Sequence, residues 1–502
     1  MKNPENHPGK NPNRGSSFLV TGSRIMSKLK FLMLTAGFAA TFASTMSFTY
    51  PPPPRYQHTP VALTSAPPTH CKQYTYNAPL NFSASSTTNE TIPVRYWVDD
   101  TCASTTTTAP LFVQMGGEAA AGCTPCNDLV KKFGGISVAV EHRFYGTSLP
   151  LGGLTPNNLV HLTTDNNLED TRAIIALLNP ASERRVITHG GSYSGGTASW
   201  FRTLYPDVAT GSISSSGVVN ALVDFIGFDE SNVNVLQSYH MYPQCLSTLV
   251  AAFDAIDDLS PSQLQALKRY PFNASNLIGT PMGDVDFHYL VADATAMAIQ
   301  YGNKKALCSA METGLSVSSS ASSHPIALLA KFVSDFYGPV FQTQSFYDTK
   351  QISSLIHPSQ EGVGAKSWRW QKCSQIAYLQ SRPRAATLAL RSRSLTQENL
   401  LKQCESMFPS NKLDLAKTNA VFQTKYGGAR PDKVGATKIF YLDYSDDPWQ
   451  RASVQGDFSK GLELEYCMTI CDGCGHCGAG VPRNLTECTD RSVASVGQWL
   501  SE

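Results

Sequence analysis

The chain carries almost no net charge: 40 Lys and Arg stand against 39 Asp and Glu in 502 residues, a formal +1. Without a basic excess there is no electrostatic footprint for nucleic acid or an anionic surface, which argues against polyanion binding as the function. Long hydrophobic runs are scarce as well. The extended one, Phe31 to Ala43, is interrupted only by Thr35 and Thr41, follows Lys28 and Lys30, and leads into Ser44 and Thr45. It is short for a comfortable membrane span and reads as the core of a secretory signal, cleaved or retained as an anchor. No internal repeat is evident. Histidine is sparse, with eleven in all, and only His476 lies beyond His357.

Cysteine, by contrast, is plentiful. Thirteen are hard to reconcile with a reducing compartment unless they hold metal, and their odd number leaves at least one thiol unpaired in a monomer. Asn81, Asn89, Asn273 and Asn484 open N-x-S/T sequons, in keeping with a glycosylated protein of the secretory pathway, exported or held in a lysosome- or vacuole-like compartment. Residues 1–43 are assigned to the signal and its polar lead, and 44–70, rich in proline, to a linker or propeptide. Strand signals at Val94 to Val98, Leu111 to Met115, Ile136 to Glu141, Val186 to Thr188, Gly211 to Ser215 and Lys438 to Leu442 alternate with helical stretches at Leu168 to Leu178 and Thr197 to Tyr205. This alternation predicts an α/β fold with a largely parallel sheet in two parts, 71–219 and 431–502. Between them, 220–430 carries helical signals around Val235, Leu264, Ala294 and Leu328 and reads as an inserted helical cap, with Ser316 to Ser323 as a surface loop.

The segment THGGSYSGGTASWFR, Thr188 to Arg202, places Gly190-Gly191-Ser192-Tyr193 in a turn between a buried strand and a helix closed by Pro206. A serine on such a bend is a nucleophile elbow, and its small neighbours let strand and helix approach a strained backbone. Two registers fit the G-x-S-x-G pattern imperfectly. Ser192 has Gly190 before it and Ser194 behind; Ser194 has Ser192 before it and Gly196 behind. The first is preferred. An ordinary Gly/Ser helix cap is the plain alternative.

Serine needs a base at neutral pH, and an imidazole base needs a carboxylate to fix its tautomer. In sheet hydrolases the order is Ser, Asp or Glu, His, with the partners on loops after late strands. The search is then narrow: Asp446 and Asp447 follow the Lys438 to Leu442 strand and His476 comes after them, so Asp447 is assigned as the orienting acid and His476 as the base. Cys467, Cys471, Cys474, His476 and Cys477 also form a cluster with zinc-like spacing. Disulfides among these thiols and Cys488 are the preferred reading, and no metal or other cofactor is assigned.

These motifs together resemble the serine peptidases that include prolyl carboxypeptidase, dipeptidyl peptidase II, the thymus-specific serine protease and fungal prolyl endopeptidases. The similarity runs from about Leu111 to Trp499 and is carried by QMGGEA from Gln114, EHRFYGTSLP from Glu141, LTTDNNLEDTRAII from Leu162, GGSYSGG, SSGVVNALVDF from Ser215, SWRWQKCSQIAYLQ from Ser367 and YGGARPDKVGATKIFYLDYSDDPW from Tyr426. It selects Ser192 as nucleophile and Asp447 as the aspartate of the DPW motif, and implies an α/β-hydrolase sheet domain with a large helical cap. The implied activity is hydrolysis of peptides after proline through an acyl-enzyme, in carboxypeptidase, dipeptidyl peptidase or endopeptidase mode, with an exopeptidase preferred and room for a homodimer. The backbone N–H groups of Tyr193 and Gly117 are expected to form the oxyanion hole. Trp368 and Trp370 are cap candidates for a proline pocket, and Arg143 and Tyr145 are read as buttresses of the elbow without chemistry. Two departures stand out: Gln375 replaces a frequent Glu in the cap motif, and His476-Cys477 runs into Gly478-Ala479-Gly480 rather than Asp-Leu. They keep two other functions in view, a catalytically silent binding protein with a Cys/His-rich loop and an esterase on the same scaffold.

Overall fold

A computed structural model of the chain describes residues 70–502 apart from 83–88, 105–106, 270–271, 273–281, 314–323, 342–345, 358–363, 455 and 457. The expected signal and nearly all of the linker, the sequon at Asn273 and the serine-rich loop lie outside the described residues. Of the other sequons, Asn89 and Asn484 are exposed and Asn81 is half-buried. Among the described residues no helix is long and apolar enough to cross a membrane.

Eight strands form one sheet: β1 (Lys72–Pro79), β2 (Thr91–Asp99), β3 (Leu111–Gln114), β4 (Ile136–Val140), β5 (Val186–Gly191), β6 (Gly211–Ser215), β7 (Ile439–Tyr444) and β8 (Leu464–Thr469), in spatial order β1-β2-β4-β3-β5-β6-β7-β8. The β1/β2 and β2/β4 pairs are antiparallel; from β4 onward every pair is parallel. The parallel strands read as continuous apolar runs because both faces are covered. Leu111, Val113 and Val186 join one core cluster while Phe112 and Ile187, at alternating positions, join another with Phe440, Leu442 and Trp499. Sequence reasoning missed β1, β8 and the final helix.

The helices before β6 are α1 (Asp128–Lys132), α2 (Pro156–Leu159), α3 (Thr164–Leu178) and α4 (Tyr193–Leu204). Between β6 and β7, which are hydrogen-bonded neighbours, run α5 (Gly227–Gln237), α6 (Cys245–Asp257), α7 (Pro261–Arg269), α8 (Asp284–Gln300), α9 (Lys304–Thr313), α10 (Pro325–Phe341), α11 (Thr349–Ser354), α12 (Ala365–Gln371), α13 (Gln397–Met407) and α14 (Leu415–Tyr426); α15 (Glu487–Ser501) closes the chain. Part of this insertion has its own core around Leu249, Phe253, Leu290 and Leu329. Its last third instead packs on the sheet layer, with Phe422 and Tyr426 of α14 against Trp200 of α4.

The elbow is tighter than the sequence reading allowed. β5 continues through Gly191 and α4 begins at Tyr193 rather than Thr197, so Ser192 alone makes the turn. Small residues carry the helix start despite their weak helical propensity because the tertiary fit overrides it. At its other end, Arg202 of α4 donates to the carbonyls of Pro206 and Ala209, both at 2.7 Å, satisfying acceptors of the loop that follows the helix.

Candidate active site

Ser192 adopts φ 59° and ψ −130° as the residue before α4, without a side-chain cap bond. Its own N–H donates to Ser215 O at 2.9 Å and its carbonyl accepts from Gly196 N at 3.0 Å, so the strained backbone is held from both sides. A Cβ at Gly190 would meet Ser194 Oγ at 2.2 Å, which makes glycine the residue that fits there. Ser194 is engaged inward: it is 9% exposed and its Oγ donates to Met115 O at 2.5 Å. Of the two registers, the geometry leaves the half-buried Ser192 hydroxyl as the one at the mouth of the turn.

Asp447 and His476 come together after β7 and β8. His476 Nδ1 lies 2.7 Å from Asp447 Oδ2, and both side chains are buried. The Asp447 carboxylate also accepts Trp449 N–H through Oδ1 at 2.9 Å, capping the turn that Pro448 starts. Since a carboxylate only accepts, Nδ1 carries the proton, and in the neutral imidazole Nε2 is the atom that keeps its lone pair. Nε2 is buried with no hydrogen-bond partner among the described residues. Burial lowers the His476 pKa, but the charge on Asp447, followed by the Cys477 thiol, outweighs it and raises the pKa well above the ordinary value.

The loop bearing His476 is docked on the elbow. Cys477 N–H donates to Ser216 Oγ at 2.8 Å, just past the end of β6, and a Cβ on Gly191 would lie 2.9 Å from Cys477 Sγ. Ser192, Asp447 and His476 follow β5, β7 and β8, so parallel pairing brings all three to one edge of the sheet. On the other side of β5, the turn after β3 brings Gly117 against the start of α4, where a Cβ would touch Ser194 Cβ at 3.5 Å. Gly116 admits no side chain, since a Cβ there would fall 2.3 Å from His142 N. Tyr193, as the first helical residue, has an N–H without an intrahelical acceptor.

An aromatic arc spans the distance from the elbow to the base. Tyr193 packs on Trp368 (5.4 Å between centroids), Trp368 on Tyr378 (6.4 Å), Tyr378 on Trp449 (5.6 Å) and Trp449 on His476 (6.2 Å). Tyr378 and the preceding Ala377 hold positive φ values of 48° and 59°, directly after a π-helical turn, Lys372–Ile376, a distortion typical of functional sites.

Over residues 81–489 the sequence matches the family described as serine carboxypeptidase S28. The chain belongs to this family. It is 28% identical over 431 residues to the probable serine protease EDA2 of Arabidopsis thaliana, covering 78% of this chain and 82% of the relative. The thymus-specific serine protease of Mus musculus is 26% identical over 429 residues, 81% and 82% of the two chains. The lysosomal Pro-X carboxypeptidase of Bos taurus is 32% identical over 141 residues, 26% of this chain and 28% of the relative. The chain is therefore a serine peptidase by family, built on an α/β-hydrolase sheet.

Within this S28 chain several candidate residues occupy places the sequence did not foretell. Gln375 spends its carboxamide oxygen on Thr164 N–H at 3.0 Å, capping α3. Trp370 is buried edge-on against Phe408, while Trp368 is half-buried beside Tyr193. Arg143 does not touch the elbow. It pairs in the interior with Asp170 at 2.6 Å and donates to Pro79 and Leu80 carbonyls, tying the end of β1 to α3. Tyr145 does reach the elbow, by donating to Gln371 Oε1 while Gln371 Nε2 donates to Tyr193 Oη at 2.5 Å. His142 sits 3.2 Å from the same hydroxyl and is kept neutral by burial, its pKa lowered to about 3. Gln371, Tyr378 and Trp449 gave no sequence signal of their own beyond lying inside the family motifs.

The cysteine cluster resolves into Cys467–Cys488 and Cys471–Cys474 disulfides with Cys477 a free, exposed thiol. Four more, Cys71–Cys123, Cys102–Cys126, Cys245–Cys308 and Cys373–Cys404, complete the set. Glu118, beside Gly117, was not singled out from sequence. Burial raises its carboxyl pKa and the nearby His476 lowers it, which puts an acidic group in the field of the site.

Proposed function

We propose that this S28 peptidase cleaves peptides on the carboxyl side of proline through an acyl-enzyme, as an exopeptidase in an extracellular or lysosome-like compartment. Ser192 is the nucleophile, His476 removes its proton and returns it to the leaving amine, and Asp447 holds the imidazole in the required tautomer. The N–H groups of Tyr193 and Gly117 receive the developing oxyanion. The observation that carries the proline reading is the aromatic arc from Tyr193 to Trp449. A pyrrolidine ring offers shape and apolar surface but no N–H, and the half-buried rings of Trp368 and Trp449, backed by the fully buried Tyr193 and Tyr378, give it an apolar face. Glu118 supports exopeptidase action at a free amino terminus, because a substrate ammonium would neutralise an acid that burial disfavours as a lone charge.

An activated fluorophosphonate is expected to label the mature protein at Ser192, and Ser192→Ala to lose both label and hydrolysis. Proline-containing peptides with each terminus free or blocked, followed by mass spectrometry, then read the mode. Cleavage after proline that needs a free amino terminus is the expected pattern. Labelled enzyme that spares every Pro-Xaa bond would defeat the specificity assignment while leaving the serine hydrolase intact.

A further inference from the structure

Three cations are buried in the helical insertion without an anionic partner in hydrogen-bond contact. Arg369 of α12, Lys372 of the π-helical turn and Arg391 are 7%, 3% and 1% exposed. They gather on one ring: Arg369 Cζ lies 4.9 Å, Arg391 Cζ 5.3 Å and Lys372 Nζ 5.7 Å from the Tyr289 centroid. The acids nearby act on them through space rather than by hydrogen bonds: Asp286 accepts from Thr349 and Gln403, Asp293 from Tyr347, and Asp229 from Leu390 N–H, while Asp293 opposes the fall of the Lys372 pKa and Arg391 and Arg369 hold down Asp229 and Asp286. Arg391 Nη1 and Nη2 and Arg369 Nε have no hydrogen-bond partner among the described residues. Lys372 relieves part of the repulsion, since burial, together with Arg369 and Arg391, holds its pKa well below the ordinary value. The guanidinium groups have no such recourse.

Arg369 and Lys372 also line a void of about 10 Å³ walled by Leu379, Leu400 and the Cys373–Cys404 disulfide, room for one species of roughly water's size. Beside it, Lys372 donates to Tyr289 Oη at 3.3 Å and to Gln380 Oε1 at 3.1 Å, and Tyr289 itself donates to Gln380, while Gln403 also faces the void and donates its Nε2 to Asp286. Cationic donors outweigh acceptors on this wall, and an anion only accepts.

We propose that this cluster binds one small monovalent inorganic anion of the chloride class, held by Arg369 and Lys372 with Arg391 adding charge across the Tyr289 ring. The ion would fix the π-helical turn that follows Trp368 and Gln371, both of which contact Tyr193. The inference rests on the buried cations and is independent of the proline reading.

The test uses the whole mature protein, with its thermal midpoint followed in sodium chloride against sodium gluconate at equal ionic strength. A saturable rise of roughly 2 °C or more in chloride is expected, together with its loss in Lys372→Met. Crystals grown in bromide are expected to show one anomalous peak between Arg369 and Lys372, a readout on the unaltered protein that does not depend on the variant folding. Superimposed chloride and gluconate curves, or a bromide map without a peak at this cluster, would overturn the proposal.

Discussion

Ser192 and Ser194 sit two positions apart in one motif, and what separates them is direction. Both are small hydroxyls with glycine nearby, so spacing alone left two registers open; the Ser194 hydroxyl is engaged by Met115 O and that of Ser192 is not held in this way. Asp447 and His476 could be picked out together because the order of strands leaves few candidates, and they lie 2.7 Å apart. The aromatic arc was not legible, since Tyr378 reaches it through a positive-φ backbone that composition does not announce. Two outcomes belong at this scale. Asp447→Asn should reduce kcat by about four orders of magnitude. Because the carboxylate raises the His476 pKa and the base must be neutral to act, the rising limb of kcat/KM should lie above the ordinary histidine value in the parent and move to lower pH in the variant, read from a pH–rate profile. The exposed Cys477 thiol, packed on Gly191 beside the base, should make hydrolysis sensitive to bulky thiol reagents, and Cys477→Ser should be resistant.

Among the elements, those buried on both faces declared themselves and those at the edges did not. β3, β5 and β7 are apolar runs, whereas β1 is mostly exposed and β8 mixes Glu465 and Thr469 into a half-buried edge. Helix α15 escaped notice because its sequence, ECTDRSVASVGQWLS, has few apolar residues and an internal glycine. Those few are well placed. Trp499 lies over Gly211 so closely that a Cβ there would be 2.2 Å from its ring, and it joins Phe112, Ile187 and Phe440 in one cluster. Trp499→Ala should destabilise the protein by about 3–5 kcal/mol, as truncation of a buried aromatic does, measured by denaturant unfolding with the catalytic residues unchanged.

For the molecule as a whole, one pH-dependent contribution to stability comes from a carboxyl in the sheet. Asp443 on β7 is buried, and burial raises its pKa to about 7 against the opposing Ser453 hydroxyl, with Asp447 adding to the shift and His476 reducing it. A pKa higher in the folded than in the unfolded state means that the folded protein holds the proton over that interval. The stabilisation is complete below the unfolded value near 4 and is lost as pH rises through about 7. The buried His142 and His189, whose pKa values are held to about 3 and about 4, act the other way over the same interval, so the carboxyl is read by difference: Asp443→Asn should raise the thermal midpoint relative to the parent more at about pH 7 than at about pH 4. Six disulfides fit an oxidising compartment. One architectural fact reaches further: β6 and β7 are neighbours in space but are parted in the chain by ten helices among the described residues. During synthesis Ser192 leaves the ribosome a whole helical insertion ahead of Asp447 and His476, so a chain stopped within that insertion would carry the proposed nucleophile without its proposed acid and base and should be chemically inert.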